Sequence, residues 1–181
     1  MAAYILPFEK PLLEIQSKID ELRQFAREKG VTESQDVAQL EKQLADTRRD
    51  IYANLTPWQK VMVARHPRRP YTRDYIAAFV KDFTEIHGDR LLSDDLAIVG
   101  GLGWINNERV MLIGTQKGHD TKSNLVCNFG CPFPEGYRKA LRLMRLAGKF
   151  AIPIITFIDT PGAFPGIEGE QRHVAEAIAV N

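Results

Sequence analysis

The chain has 181 residues, of which 44% are hydrophobic and 9% aromatic, so it carries enough apolar material for a packed core and is neither disordered nor fibrous. Its 24 Lys and Arg residues nearly balance 23 Asp and Glu residues, which leaves no global field that favours nucleic acid or an anionic membrane. Two cysteines provide no disulfide framework, and no apolar stretch reaches the roughly eighteen residues of a membrane span. Because the first residues also lack the features of a targeting peptide, the sequence predicts a cytoplasmic protein.

Residues 1–54 have the apolar spacing of two helices. Apolar side chains recur in steps of three and four over residues 12–26 and again over residues 37–51. A polar break at residues 29–36 separates the two series. The pattern predicts an N-terminal helical hairpin, which we interpret as an extension for packing or assembly, followed by a second domain over residues 55–181.

The second domain begins with a helical and basic stretch. Thr56 and Pro57 have the residue types of an N-cap and a first helical position, and a further helix is predicted over residues 72–86. Four arginines between residues 65 and 73 are interpreted as an interface or loop anchor, while contact with a small-ligand phosphate stays open. Nucleic-acid binding is not expected, because no RNA-recognition motif accompanies these arginines.

From residue 97 onward the spacing becomes that of strands. Residues 97–105 and 109–114 flank the dipeptide Asn106-Asn107 and predict a β-hairpin. Residues 152–158 form a nearly continuous apolar run, which predicts a strand buried on both faces. Together with helices before and after that strand, the order of elements predicts an α/β fold.

The helices around the predicted buried strand have two further features. The helix before it, from residue 137, carries five basic residues without an acid; we interpret them as a solvated face, although they could attract a polyanionic ligand. These are Arg138, Lys139, Arg142, Arg145 and Lys149. The helix after it, over residues 168–180, is still in phase at the last residue, and such a helix normally leads to another strand. We therefore expect the chain to be a fragment.

A glycine-containing turn at residues 159–166 joins the buried strand to the last helix. This order points unpaired backbone N–H groups into a cleft, where an oxyanion would suit them. Motifs for a nucleophile elbow, a phosphate-binding loop, a zinc protease and a dinucleotide-binding turn are all missing from the sequence. Cys127 and Cys131 lack the spacing and partners of a zinc site, so no metal site is expected.

Several segments are distinctive when they are taken together. They are Ala-Ile-Val-Gly-Gly at 97–101, Gln-Lys-Gly at 116–118, Asn-Phe-Gly at 128–130, and the stretches 134–144 and 153–166. With these segments the sequence resembles the alpha subunits of the bacterial and plastid type of acetyl-coenzyme A carboxylase carboxyltransferase. The resemblance covers nearly all of the 181 residues, including the helical N-terminal part.

The resemblance implies a crotonase-like (ClpP/crotonase) carboxyltransferase domain, truncated here and preceded by the helical hairpin. The implied reaction transfers a carboxyl group from carboxybiotin, attached to the biotin carboxyl carrier protein, to acetyl-coenzyme A, which gives malonyl-coenzyme A for fatty acid synthesis. The implied partners are biotin carboxylase, the carrier protein and a beta subunit, with which the alpha subunit forms a heterotetramer of two copies each. Zinc is expected only on the beta subunit, and this chain alone is expected to be inactive.

The resemblance also implies site residues. In this fold the turn after the buried strand lines the cleft, so the backbone N–H groups of Gly162 and Ala163 are the leading catalytic candidates, although a tight turn without a catalytic role explains both residues equally well. Gly166 is expected to shape the approach to the following helix, and a second glycine-rich turn of the family lies beyond Asn181. Further candidates for ligand contact, for which loop-stabilising or surface roles are equally good explanations, are Lys117, Gly118, Arg138 and Lys139.

Two alternatives stay open. The first is another acyl-coenzyme A enzyme of the same fold, a hydratase, isomerase or decarboxylase, which needs acid–base carboxylates; Glu168 and Glu170 are the nearby candidates. The second is a non-catalytic scaffold that binds the partner subunit without turnover. Product analysis with and without biotin separates the first alternative from carboxyl transfer, and copurification without malonyl-coenzyme A formation identifies the second.

Overall fold

The computed structural model describes residues 4–30 and 35–181, which belong to two compact units that divide between Arg69 and Pro70. The first unit contains a short 3₁₀ helix (Pro7–Glu9), α1 (Lys10–Lys29), α2 (Gln35–Ala53) and α3 (Pro57–Ala64). The second contains α4 (Thr72–Phe79), β1 (Lys81–Glu85), β2 (Ile98–Ile105), β3 (Glu108–Thr115), α5 (Thr121–Val126), a 3₁₀ turn (Asn128–Gly130), α6 (Pro134–Lys149), β4 (Ile154–Phe157), α7 (Ile167–Gln171) and α8 (Val174–Ala179). The predicted domain boundary between residues 54 and 55 stays a prediction.

The N-terminal helical hairpin is confirmed by α1 and α2. Arg23 near the end of α1 forms an ion pair of 2.6 Å with Glu41 in α2, while Tyr52 at the end of α2 donates to Glu9 just before α1. These two contacts pair opposite ends of the helices, so the hairpin is antiparallel. Residues 31–34, the middle of the predicted polar break, lie outside the described residues.

The predicted helix over residues 72–86 is partly wrong. Helix α4 ends at Phe79, and the next residues form β1, which pairs antiparallel with β2. Val80 and Phe83 pack against the buried cluster on one face of the sheet, so tertiary packing outweighs the local helical pattern. The predicted start of α3, the helix before α4, is confirmed: Thr56 caps it by accepting the N–H of Gln59 at 3.3 Å.

The four strands form one sheet in the order β1, β2, β3, β4. The predicted hairpin is confirmed, because β2 pairs antiparallel with β3 around Asn106 and Asn107, which have φ values of 47° and 67°. Two positive φ values in a two-residue loop are typical of the turn that matches the twist of a hairpin. Strands β3 and β4 are parallel, so their carboxyl ends lie at the same edge of the sheet.

Helices cover both faces of the sheet. Met111 and Ile113 of β3 pack with α6, whereas Val110 and Leu112 of the same strand pack with Ile76 of α4. This alternation follows from the two-residue period of a strand and gives an α/β/α arrangement, as the sequence predicts.

Two predictions for the last segment are wrong. The run at residues 152–158 is not buried on both faces, since β4 is an edge strand and Ile158 is 84% exposed. The helix predicted over residues 168–180 is broken into α7 and α8 at His173, whose φ of 63° is left-handed and interrupts the helical hydrogen bonds.

Candidate functional site

The parallel pair β3 and β4 brings two loops together at its carboxyl edge. Thr115, the last residue of β3, joins them: its Oγ1 accepts the N–H of Asp159 at 2.6 Å and lies 3.5 Å from the carbonyl oxygen of Phe157. The ammonium group of Lys117 then donates to the carboxylate of Asp159 in a partly exposed ion pair. Ligands of open α/β sheets bind at this edge, so we take it as the candidate functional site.

A third loop joins the first two. The Thr160 hydroxyl donates to the carbonyl oxygen of Gly130 at 2.6 Å, and the Lys117 side chain lies so close to Gly130 that an added Cβ would be 2.7 Å from its Cγ. Asn128, Phe129 and Gly130 have successive φ values of 48°, 54° and 77°. Such a run of left-handed residues is costly outside glycine and is found most often at functional sites.

The turn that holds the two catalytic candidates is anchored by its neighbours. The N–H of Phe164 donates to the carbonyl oxygen of Pro132 at 3.0 Å, and the rings of Phe164 and Phe133 stack with centroids 4.0 Å apart. At Gly166 the Phe164 ring fills the space where a Cβ would lie, at 2.3 Å. Gly166 is therefore needed for close packing at the start of α7.

The two predicted N–H donors differ in their hydrogen bonds. Gly162, with a φ of 152°, is exposed and donates its N–H to the hydroxyl of Thr160 at 3.1 Å within the same turn. The N–H of Ala163 has no hydrogen-bond partner within residues 4–30 and 35–181. Of the two candidates, Ala163 is thus the one with a backbone donor to offer to a ligand, and Gly162 supplies the turn conformation before it.

Lys117 and Gly118 line a cavity of about 480 Å³ beside these loops. Its volume lies within the range of roughly 300–1,000 Å³ that is usual for small-molecule sites. The N–H of Gly118 donates to Asn124 at 3.0 Å, and an added Cβ would lie 2.1 Å from the backbone nitrogen of Asn124. A glycine is therefore required here. Other residues of the wall are Arg73, Asp74, His119, Lys122 and Cys127.

Most charged groups of this cavity are paired. Arg73 forms an ion pair with Glu85 at 2.9 Å, and His119 Nε2 lies 2.9 Å from the carboxylate of Asp74. Burial raises the pKa of the Cys127 thiol, which therefore stays protonated and is a poor nucleophile at neutral pH. The cavity offers shape and hydrogen bonding more than net charge.

Arg138 and Lys139 lie elsewhere, in a charged cluster between α6 and the loop before β2. Arg138 Nε donates to Asp89 at 2.9 Å, and both side chains are largely buried. Lys139 is fully buried and donates to Asp94 at 2.7 Å and to the carbonyl oxygens of Asp95 and Ile98 at 3.2 and 2.7 Å. The structure does not bring this pair together with Lys117 and Ala163. Ligand contact by Arg138 and Lys139 stays a prediction.

Sequence reasoning missed the residues that hold the loops together, namely Thr115, Asp159 and Thr160. The sequence does show polar residues directly after two strands. That pattern indicates a shared site only once β3 and β4 are known to be parallel neighbours. Over residues 4–30 and 35–181, no three His, Cys, Asp or Glu side chains are grouped so as to hold a metal ion. No helix in the same part of the chain is long and apolar enough to cross a membrane.

Known proteins match this chain over nearly its whole length. Residues 5–181 match a family model described as acetyl co-enzyme A carboxylase carboxyltransferase-like. The acetyl-coenzyme A carboxylase carboxyl transferase subunit alpha of Cupriavidus pinatubonensis is 53% identical over 181 residues, and that of Thiobacillus denitrificans is 55% identical. The chain spans about half the length of these curated relatives, since it covers 56% of each.

Among solved structures, transcarboxylase 12S with hydrolysed methylmalonyl-coenzyme A bound is similar in fold. The match covers 63% of this chain and 20% of that chain, with a TM-score of 0.50 and 23% identity. At this identity the likeness concerns the fold alone, and it confirms the predicted crotonase-like carboxyltransferase fold. The match to the family model confirms the resemblance seen in the sequence. The chain belongs to the acetyl co-enzyme A carboxylase carboxyltransferase-like family.

Proposed function

We propose that this chain forms one wall of the carboxyltransferase site of an acetyl-coenzyme A carboxylase, where acetyl-coenzyme A is converted to malonyl-coenzyme A. The observation that carries the proposal is the unpaired N–H of Ala163 at the carboxyl edge of the parallel strands β3 and β4. Family membership supports the reaction class, because the relatives are named as carboxyl transferase subunits.

In this proposal the role of the turn is electrostatic. The N–H of Ala163 donates to a ligand oxygen that gains negative charge, and a preorganised donor of this kind lowers a barrier by roughly 3 kcal/mol. Gly162 is favoured by its backbone conformation and not by lack of space, because its φ of 152° is one that L side chains rarely adopt while no atom lies within 4 Å of the position that its Cβ would occupy. Neither residue has to gain or lose a proton, which fits the lack of a catalytic triad in the sequence.

Carboxybiotin, delivered on its carrier protein, supplies the activated carboxyl group when it is bound. The N–H of Ala163 is a donor and fits the ureido oxygen of such a group, which is an acceptor. The side chain of Lys117 lies near the turn, where its ion pair with Asp159 fixes its position and offsets its charge. Lys117 and Gly118 contribute the wall of the adjacent cavity.

The partners follow from the same proposal. A beta subunit, which carries the zinc, completes the site in a heterotetramer; the biotin carboxyl carrier protein visits it, and biotin carboxylase recharges the biotin. Leu125 and Val126 of α5 are more than half exposed beside the cavity, and an exposed apolar rim of this kind supports a covered interface in the assembly. The location of the complex is the cytoplasm.

The test is a biotin-dependent assay of a hybrid subunit. This chain is joined to the remaining part of the Thiobacillus denitrificans alpha subunit, purified with the beta subunit, and followed for conversion between acetyl- and malonyl-coenzyme A. We expect activity in the hybrid complex that requires biotin, and none from this chain alone. A hybrid that folds and binds the beta subunit without turnover contradicts the proposal and supports the scaffold alternative.

Products formed without biotin would instead support a different acyl-coenzyme A enzyme. In that alternative Glu168 or Glu170 of α7 acts as an acid or base, and both side chains are exposed. Replacing each by Gln separates the two readings, because carboxyl transfer as proposed here does not use them.

A further inference from the structure

A second cavity lies against α6 and is separate from the candidate functional site. Its volume is about 410 Å³, and it shares no lining residue with the cavity that contains Lys117. Its wall includes apolar and positively charged side chains: Leu91, Leu141, Arg142, Arg145 and Val180. A mixed wall of this kind is typical of sites for small organic ligands that carry a charged group.

The positive charge of this cavity is held in place by the protein. Arg142 donates from Nη2 to the carbonyl oxygen of His87 at 2.9 Å and from Nε to that of Gly88 at 3.1 Å. Carbonyl oxygens position the guanidinium group without neutralising it. Burial, followed by the charge of nearby Arg90, lowers the pKa of Arg142, which indicates crowding of like charges.

Two further guanidinium groups remain uncompensated. Within residues 4–30 and 35–181, the side chains of Arg90 and Arg145 form neither an ion pair nor a hydrogen bond. Of the two carboxylates in the wall, Asp89 is engaged by Arg138 at 2.9 Å, which leaves Glu176. The arginines therefore outnumber the available acids, and a bound anion would relieve their repulsion.

The loop that carries Arg90 is rigid. Asp89 Oδ1 accepts the backbone N–H groups of Leu91, Leu92 and Ser93 at 2.8–3.1 Å, and these bonds hold Arg90 at a left-handed φ of 65°. A non-glycine residue in this conformation costs free energy and persists only where its surroundings hold it, as the Asp89 hydrogen bonds do here. The same loop exposes Leu91, which is 77% accessible, at the mouth of the cavity.

We propose that this cavity binds a phosphate group of a small organic ligand through Arg142 and Arg145 of its wall, with Arg90 of the adjoining loop as a third contact. The charge of Arg90 already acts on Arg142 from that loop. Guanidinium groups match phosphate oxygens in pairs of parallel hydrogen bonds, and Leu91 with Val180 offers contact to an apolar part of the ligand. A polynucleotide is disfavoured because the net charge of the chain is only +1 and the arginines are confined to one cavity. The chemistry suits free phosphate and the phosphates of a coenzyme alike.

Isothermal titration of the purified chain distinguishes these sources. The probes are inorganic phosphate, coenzyme A and dephospho-coenzyme A, and the variants are Arg90→Gln and Arg145→Gln. Each variant is expected to weaken binding roughly tenfold, because it removes a charge-assisted pair of hydrogen bonds. Arg49→Gln on α2 removes one exposed charge elsewhere and is the matched control, for which affinity stays unchanged.

The outcomes separate as follows. Equal affinity for all three probes identifies a site for free phosphate. Binding of coenzyme A alone identifies its ribose phosphate as the bound group. Binding of coenzyme A and dephospho-coenzyme A, but not of inorganic phosphate, identifies their pyrophosphate. Failure of all three probes to bind, or binding that both arginine variants leave unchanged, overturns the proposal. Circular dichroism confirms folding, and Arg145→Lys, which keeps the charge but loses the paired donors, should give an intermediate affinity. None of these outcomes depends on carboxyl transfer.

Discussion

Lys139 is a buried cation whose three N–H donors all go to acceptors of the segment before and at the start of β2. The sequence interpretation that places it on a solvated face is wrong. Charge pattern along α6 does not reveal this, because the carboxylate partner, Asp94, is 45 residues away in the chain. Lys139 instead lies beside the buried stripe of Ala140 and Leu143.

Lys139→Met tests this structural role. The variant keeps most of the side-chain volume but leaves Asp94 without its cation, so we expect a loss of about 3–5 kcal/mol in the free energy of unfolding. Urea unfolding followed by circular dichroism measures the loss. Lys149→Met, at the exposed end of the same helix, is the control and should change stability by less than about 0.5 kcal/mol. Equal stability of the two variants would contradict the role assigned to Lys139.

Asp94 makes the same cluster sensitive to acid. Burial opposes its ionisation, but hydrogen bonds from Lys139, the Gly88 N–H and His87 outweigh burial and lower its pKa to about 2. The unfolded chain has a pKa of about 3.9 at this residue and binds the proton first as the pH falls, so stability is lost on going from about 3.9 down to about 2.

The full shift would correspond to about 2 kcal/mol, since each pKa unit corresponds to about 1.4 kcal/mol, but Asp94 is partly exposed and solvent screening reduces the expected acid effect to about 1 kcal/mol. Asp94→Asn should lack this part of the pH dependence, which is read from the difference between the two unfolding curves across the window. Glu108→Gln, an exposed carboxylate at the start of β3, serves as the control. If the difference in unfolding free energy between the wild type and Asp94→Asn does not vary with pH, the lowered pKa assigned to Asp94 is contradicted.

At the scale of elements, sequence pattern predicts the structure where contacts are local. The helical spacing of α1 and α2 and the Asn106-Asn107 turn of the β2–β3 hairpin are confirmed because near neighbours determine them. Strand β1 is missed because it depends on pairing with the distant strand β2, and the break at His173 is missed because nothing in the helical spacing indicates its left-handed φ. The pairing of β4 with β3, which creates the candidate site, likewise depends on tertiary structure and is not visible in the sequence pattern.

Thr115 is the link between the ends of β3 and β4, and Thr115→Val removes that link with little change of shape. The N–H of Asp159 then loses its acceptor, so we expect a loss of about 1–2 kcal/mol in stability and faster amide exchange at residues 158–160. Hydrogen–deuterium exchange by mass spectrometry measures the second effect. Thr84→Val in β1 is the control, and equal exchange at residues 158–160 in both variants would show that Thr115 does not hold the loop.

At the scale of the whole molecule, physical pattern predicted an α/β fold and family resemblance predicted its crotonase-like form, whereas the catalytic role of the site residues stays a prediction. The turn with Gly162 and Ala163 lies at the carboxyl edge of the sheet next to Lys117 and Gly118, whereas Arg138 and Lys139 belong to a separate cluster. Sequence reasoning ranked Lys117, Gly118, Arg138 and Lys139 alike as candidates for ligand contact, because distances between loops and the satisfaction of each donor are visible only in three dimensions. The distinction between a paired Gly162 N–H and an unpaired Ala163 N–H comes from the structure.

The central claim is that the Ala163 N–H stabilises charge during carboxyl transfer, and an amide-to-ester replacement at Ala163 tests it most directly. In the hybrid complex with the beta subunit, lactic acid in place of Ala163 removes the N–H and keeps the side chain. The same replacement at Ala175, an exposed alanine in the first turn of α8, is the matched control. We predict that kcat for biotin-dependent transfer falls roughly hundredfold at Ala163, with KM nearly unchanged and no loss at Ala175. An unchanged kcat in a folded, assembled Ala163 ester would contradict the account.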